Sequence, residues 1–330
     1  MILSVGLLLA INLQQAAAQA PGAINQVDAA EQRRQMEESI KVLTEGDSAP
    51  ELYSDESSDV GPQTVLIIKP RRTHFEAQAD VQYFHTDNMF LLEDTRQSAE
   101  ALLSTVQLAL APTPYGLGEG LFSPRLGYRH QWFHYGLDGA KLDDSSLKLS
   151  DFDFNAQTAF IDGRWLRNNW MIQGGFDFIR LMDSSDYDDF HMEYVPRWGV
   201  QRLFPFSKSS TVSVGYEGDY RFTDATALPF FLPSDLMDRT DHALFAAWTL
   251  AVCRQAVVQP FYRFKYTRFT EGESREDYLH TVGLGLYGQV TRNISLRAFV
   301  NYETRDSSES TAPEYHQFNA GGGVNLTVRF

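Results

Sequence analysis

The feature that most restricts this chain is a period of two that begins near His74 and continues to Phe330, with no run of eighteen apolar residues anywhere along it. In Phe75-Glu76-Ala77-Gln78-Ala79-Asp80-Val81-Gln82-Tyr83 every odd residue is apolar and every even one polar. That is a strand with one greasy and one wet face, a pattern no helix shares. The alternation returns over 170–178, 212–222, 258–266 and 294–302. It also appears as Phe152, Phe154, Ala156, Thr158 and Phe160 against Asp151, Asp153, Asn155 and Gln157, where the phenylalanines are expected to face outward. A helix needs ~20 apolar residues to cross a bilayer, so a membrane form of this chain has to be a closed barrel.

The pattern predicts twelve strands, at 73–87, 97–111, 121–135, 151–165, 169–182, 190–204, 211–222, 241–252, 257–269, 277–288, 293–304 and 315–330, with ten to fourteen compatible with it. Each exceeds the ~9–11 residues a tilted strand needs to cross the hydrocarbon layer. A soluble sandwich would be built from strands of only ~5–6 residues. Connectors alternate in length: short ones such as Leu166-Arg167-Asn168 face longer acidic ones such as 136–150 and 223–240. Short turns at one end and long loops at the other mark outer-membrane barrels.

Composition agrees. The 330 residues are 43% hydrophobic and 13% aromatic with a formal charge of −15; mean hydropathy is −0.31. This is too polar for a helical membrane protein, too apolar for a disordered chain, and too acidic for nucleic-acid binding. Cys253 is the only cysteine, which leaves no intrachain disulfide.

Ahead of the alternating region stands an apolar stretch from Ile2 to Leu13 followed by Ala18-Gln19-Ala20, so residues 1–20 read as a secretory signal peptide. Asp28 to Leu43 reads as a polar helix with Asp28 as N-cap and Glu31 completing a capping box. Residues 46–63, rich in Ser, Asp, Glu, Gly and Pro, read as a flexible acidic linker. The predicted organisation is therefore a signal peptide (1–20), a periplasmic helical or disordered extension (21–70) and a barrel (71–330).

The final strand ends Val324-Asn325-Leu326-Thr327-Val328-Arg329-Phe330. This terminal aromatic behind alternating apolar positions resembles the C-terminal assembly signal of bacterial outer-membrane β-barrel, porin-like proteins. The resemblance implies an all-β, single-chain antiparallel transmembrane barrel in the outer membrane of a Gram-negative bacterium. It also implies outer-membrane lipid and lipopolysaccharide around the barrel, and recognition by the barrel assembly machinery through Val324, Leu326, Val328 and Phe330. No subfamily, solute or oligomeric state follows from it.

The wet face then defines a bore. Its predicted acids are Glu76, Asp80, Asp151, Asp153, Asp177, Glu193, Glu217, Asp219 and Glu303. Its predicted bases include Arg125, Arg129, Arg197, Arg221, Arg263, Lys265, Arg297 and Arg329. Interior charges must be paired or hydrated, so the bore either holds water or is narrowed by ion pairs. Further acids on the loops, including Asp188, Asp189 and Glu276, would draw cations to the mouth. Other chemistry is weak. Gly283-Leu284-Gly285-Leu286-Tyr287-Gly288 satisfies a dinucleotide fingerprint but lies within a strand. His130 and His134 on one strand stand about 13 Å apart, too far to share an ion. The expectation is a porin-like channel for passive diffusion of small solutes with mild cation preference, no cofactor, no metal and no catalytic residues. A non-conducting structural barrel, and a hydrolase using the Asp186, Asp188, Asp189 and His191 cluster, are the alternatives.

Overall fold

The structure, a computed structural model, describes residues 22–34, 36, 74–93, 96–137, 139, 148–207, 209–225, 235–253, 255–271, 275–309 and 314–330. The signal-peptide segment and the acidic linker lie outside the described residues. The strands are β1 (Phe75–Thr86), β2 (Ala99–Leu110), β3 (Tyr115–Leu117), β4 (Gly120–Tyr135), β5 (Phe154–Arg167), β6 (Trp170–Asp183) and β7 (Asp189–Ser207). They continue as β8 (Ser210–Asp224), β9 (Arg239–Cys253), β10 (Ala256–Phe269), β11 (Glu276–Gln289), β12 (Ile294–Ser307) and β13 (Tyr315–Arg329). Twelve are long, and β3 is a three-residue ribbon paired with β4.

All pairings are antiparallel between neighbours, and β2 pairs with β4 to close the sheet on that side. The first long strand meets the last in the register Glu76↔Arg329 to Thr86↔Asn319. Phe75 and Phe330 exchange backbone hydrogen bonds of 3.0 Å in both directions. Gly321 makes the close approach at this seam possible, since a Cβ there would stand 2.5 Å from the Tyr83 carbonyl and from the Phe84 side chain. A closed barrel leaves no edge and no unpaired backbone in lipid.

At the Phe330 end the turns are brief. Asn168 and Asn169 both have positive φ (47° and 66°), as a two-residue hairpin between right-twisted strands requires. The opposite end carries the long connectors. By the usual asymmetry the first end is periplasmic and the second extracellular.

The outside of the wall is apolar. Val81, Leu108, Ile161, Phe176, Leu284 and Val324 are all exposed on outward positions of their strands, as are the aromatic Tyr83, Trp170, Trp198 and Tyr262. In water such a surface would aggregate; against hydrocarbon it is the expected face.

One register is reversed from the sequence expectation. On β5 the face carrying Phe154, Ala156, Thr158 and Phe160 points into the barrel, and all four are buried. The strand then runs without a bulge, because Asp162 and Arg164 share that inward face, and Arg125 Nη2 meets Asp162 at 3.0 Å. An inward-facing apolar set is stable here because the outer third of the barrel is a dry core.

Candidate functional site

What fills that core is the N-terminal helix, α1, residues 22–34. Sequence reasoning starts it at Asp28; it starts six residues earlier, and its apolar stripe is Ala23, Ile24, Val27 and Ala30, all buried. Asp28 is therefore a mid-helix side chain instead of a cap. The helix stands inside the barrel instead of hanging beneath it. Its stripe packs against Phe84, Leu103, Phe133, Phe154, Phe190 and Val195 of the wall in one apolar cluster. Phe133 and Phe154 stack at 4.3 Å with ring planes 9° apart. Each large side chain buried this way contributes about 1.5–3 kcal/mol.

The helix has a direction. Gly22 lies beneath the extracellular rim, where a small cavity is lined by Gly22, Ala23, Met89, Phe90 and Tyr135. Met36 lies toward the periplasmic end, beside Met171, Gln201 and Ser213. The chain thus runs downward through the barrel before returning to begin β1 at the lower rim.

Below the stripe the contacts change character. Asp28 lies 2.9 Å from Arg221 and 3.7 Å from Lys265. Glu31 lies 2.7 Å from Arg129 on the opposite wall. Asn25 donates to Glu303 at 3.2 Å and to the Tyr315 hydroxyl at 2.9 Å, and Tyr315 donates in turn to Glu303 at 2.8 Å. The guanidinium of Arg33 stands over the rings of Phe84 and Phe299, 5.4 and 4.7 Å from their centroids. Three walls are thereby tied to one helix.

The wall carries its own knot. Glu193 is buried between Arg221 at 2.9 Å, Arg239 at 3.0 Å and His191 Nε2 at 3.0 Å. Asp241 reaches Arg221 at 3.3 Å and Arg239 at 3.5 Å, while Asp219 accepts from Arg221 at 3.0 Å. Breaking one partner of such a buried set leaves an uncompensated charge, at a cost of about 3–5 kcal/mol.

Of the residues predicted to line the bore, Glu76, Asp80, Arg125, Arg129, Asp177, Glu193, Arg197, Glu217, Asp219, Arg221, Arg263, Lys265, Arg297, Glu303 and Arg329 do project inward. Arg197 pairs with Asp177 at 2.9 Å, Arg263 with Glu217 at 3.2 Å, Arg297 with Asp80 at 2.5 Å, and Arg329 with Glu76 at 2.9 Å. Asp151 and Asp153 do not line the bore. Asp151 sits in a short 3-10 turn, Leu149–Phe152, accepting from the Lys148 backbone at 2.9 Å. Asp153 follows at the extracellular rim, where it accepts from the Tyr135 backbone at 2.7 Å and bonds His134 Nδ1 at 3.0 Å; partial burial lifts its carboxyl above the ordinary range. Asp151 and Asp153 precede β5, which begins at Phe154, and the alternation that extends the strand back to 151 is interrupted by the 3-10 turn.

Asp28 and Glu31, which the sequence marks only as helix-capping residues, belong to the site, as do Arg33, Arg239 and Asp241, which it does not mark. The four-residue spacing of Ala23, Val27 and the stripe beyond was the available signal. The acidic cluster does not assemble into a catalytic group: Asp186 and Asp188 are exposed on the β6–β7 loop, Asp189 bonds Arg180, and His191 is buried facing Glu193. Among the described residues no group of three metal-ligating side chains comes together. His130 lies against Trp132 on the outer face, ring centroids 4.2 Å apart and planes tilted by 39°. The loop 226–234 lies outside the described residues.

A cleft remains between the polar side of α1 and the wall. One chamber, of about 790 Å³, is bounded by Asp28, Glu31, Asp177, Arg197, Asp241 and Lys265. A second, of about 610 Å³ and nearer the periplasm, includes Met36, Met171, Phe245 and Phe261. They share Gln32, Gln173, Glu217 and Arg263, so they lie next to each other along the helix.

By sequence, no family model and no curated protein matches the chain. By structure, an outer-membrane channel from Pseudomonas putida F1 superposes with a TM-score of 0.52 at 9% identity, covering 83% of this chain and 100% of that one. The fold is that of the bacterial outer-membrane β-barrels. The β domain of the Bordetella autotransporter BrkA (TM-score 0.46, 12% identity, 76% of this chain and 98% of that) and the NanC porin (0.39, 10%, 75% and 98%) are more distant likenesses. That fold, together with the apolar belt, is that of an outer-membrane barrel, its bore occupied by α1.

Proposed function

We propose that this protein is an outer-membrane channel for passive diffusion of small hydrophilic solutes, resting in a closed state with α1 as its plug. The observation that carries the reading is how the helix is held. Only its upper turns are sealed by apolar packing; lower down it meets the wall through Asp28 with Arg221, Glu31 with Arg129, and a polar cleft. Ion pairs lining a polar cleft can be rehydrated when the helix leaves, whereas a dry apolar core cannot. A filler needs no passage beside it.

A mild cation preference at the mouth is part of the proposal, supported by Asp186 and Asp188 exposed on the extracellular β6–β7 loop. So is delivery by the barrel assembly machinery, supported by the outward, exposed row Val324, Leu326, Val328 and Phe330 on the closing strand. A signal peptide over residues 1–20 would provide the export step.

Planar-bilayer recording tests the reading. The mature chain should give small, intermittent currents, and a variant lacking residues 22–36 should give a larger, steady, cation-preferring conductance. A plug-less barrel that inserts and stays silent overturns it. The apolar seal around Phe133 and Phe154 favours the rival reading, a permanently filled structural barrel, and that reading predicts the silent outcome.

A further inference from the structure

We infer that the lower chamber is a binding site for a neutral polyhydroxylated solute, a hexose or a short neutral saccharide, entered from the periplasmic side. The inference deepens the channel reading, on which it rests for its place along a solute path.

The chamber is built from an unusual mixture. Four carboxamides, Gln32 on the helix and Gln173, Gln201 and Gln259 on β6, β7 and β10, bound it. A carboxamide both donates and accepts, as a sugar hydroxyl does, so each can serve either sense of a hydroxyl. Gln259 is only 2% exposed and gives its Nε2 to Thr249 Oγ1 at 2.9 Å, while its Oε1 has no hydrogen-bond partner in the protein. Leaving a buried acceptor unpaired is costly, and one on a cavity wall calls for a donor from the cavity. The Nε of Arg263 is likewise buried without a partner, while its Nη2 is already turned to Glu217 at 3.2 Å. An acceptor and a donor without protein partners therefore sit on two side chains that bound the same chamber.

The opposite requirement, an apolar surface, is met by Phe245 and Phe261. Their rings cover Gly215 and Gly283: a Cβ on either glycine would lie 2.3 or 2.5 Å from the ring. Glycine in the neighbouring strand lets each ring lie down along the wall and present a broad surface to the chamber. A pyranose offers the same combination, an apolar C–H face with hydroxyls around its edge. Of the charges on the lining, Arg263 is matched by Glu217 and Arg164 is a further cation, so glucuronate is the discriminating competitor.

Titration calorimetry on the mature protein, in a detergent without a sugar headgroup, tests this with glucose, maltose, glucuronate and hexanoate as probes. Glucose or maltose should bind, and Gln259→Leu and Phe261→Leu should each weaken binding by roughly tenfold, the size of one lost buried hydrogen bond or ring contact. Gln131→Leu, on the far wall, should leave it unchanged, and circular dichroism identifies any variant that does not fold. No heat with either sugar, tighter binding of glucuronate or hexanoate, or indifference to both substitutions overturns the assignment. Binding in a barrel that never conducts would overturn the channel and keep the site; conduction without binding would do the reverse.

Discussion

Asp28, on the plug, and Arg221, on β8, stand 2.9 Å apart across the gap between helix and wall. The same guanidinium holds Glu193 at 2.9 Å, so wall and plug compete for one cation. The pair is the natural latch between them.

Asp28→Asn keeps the shape of the side chain and removes its charge. A charge-assisted hydrogen bond is worth about 1.5–3 kcal/mol, so the open-to-closed ratio should rise roughly tenfold to a hundredfold. Single-channel open probability reads this directly. An unchanged open probability would mean that the apolar seal alone holds the plug.

Arg33 tests the opposite sign. Its Nε and Nη2 are buried without hydrogen-bond partners, and its main contacts are the rings of Phe84 and Phe299. Cation–π attraction of ~0.5–2 kcal/mol is set against a desolvation cost of several kcal/mol. Arg33→Met should therefore leave the denaturant midpoint unchanged or raise it, while Arg33→Ala, which empties the space, should lower it.

The lipid belt makes a depth-dependent prediction. Leu284 is outward and 44% exposed in the middle of β11, and Phe206 is 74% exposed at the periplasmic end of β7. Leu284→Arg should cost about 2–4 kcal/mol and Phe206→Arg about 0–1 kcal/mol. Equilibrium unfolding from lipid vesicles would separate them; equal costs would argue against a bilayer around this barrel.

At the closing seam, Gly321→Val forces a side chain into a space where even Cβ meets backbone at 2.5 Å, while Gly174→Ala meets nothing nearer than 3.9 Å. The first should lower stability by ~1–3 kcal/mol or more and reduce the folded yield; the second should be silent. Folding into vesicles, followed by tryptophan fluorescence, checks the pair.

Most strands were legible because they obey the same geometry, water or ion pairs on one side and hydrocarbon on the other in steps of two, while 97–111 and 240–252 alternate poorly. The reading failed on β5, where Phe154 belongs to the apolar core and Phe160 is buried under Arg125. Alternation reports that two faces differ, and only surroundings decide which is inside. Asp162 and Arg164 held the correction, since a single unbroken strand could not send both of them and Phe160 to lipid. The helix was legible as a helix, with boundaries displaced because Asp28 resembles a cap. Its position was not legible: the partners of Asp28 and Glu31 lie on strands far along the chain, and no local signature marks such a pair. The carboxamides around the lower chamber were equally silent, each an ordinary polar residue in an alternating strand.

The orientation of α1, with Gly22 under the outer rim and Met36 toward the lower end, has a topological consequence. The chain is a needle threaded through its own eye. Either the wall wraps around a helix already standing upright, or the helix is drawn upward into a finished cylinder; in both histories, a bulky folded domain inserted just ahead of residue 22 should trap the eye unthreaded.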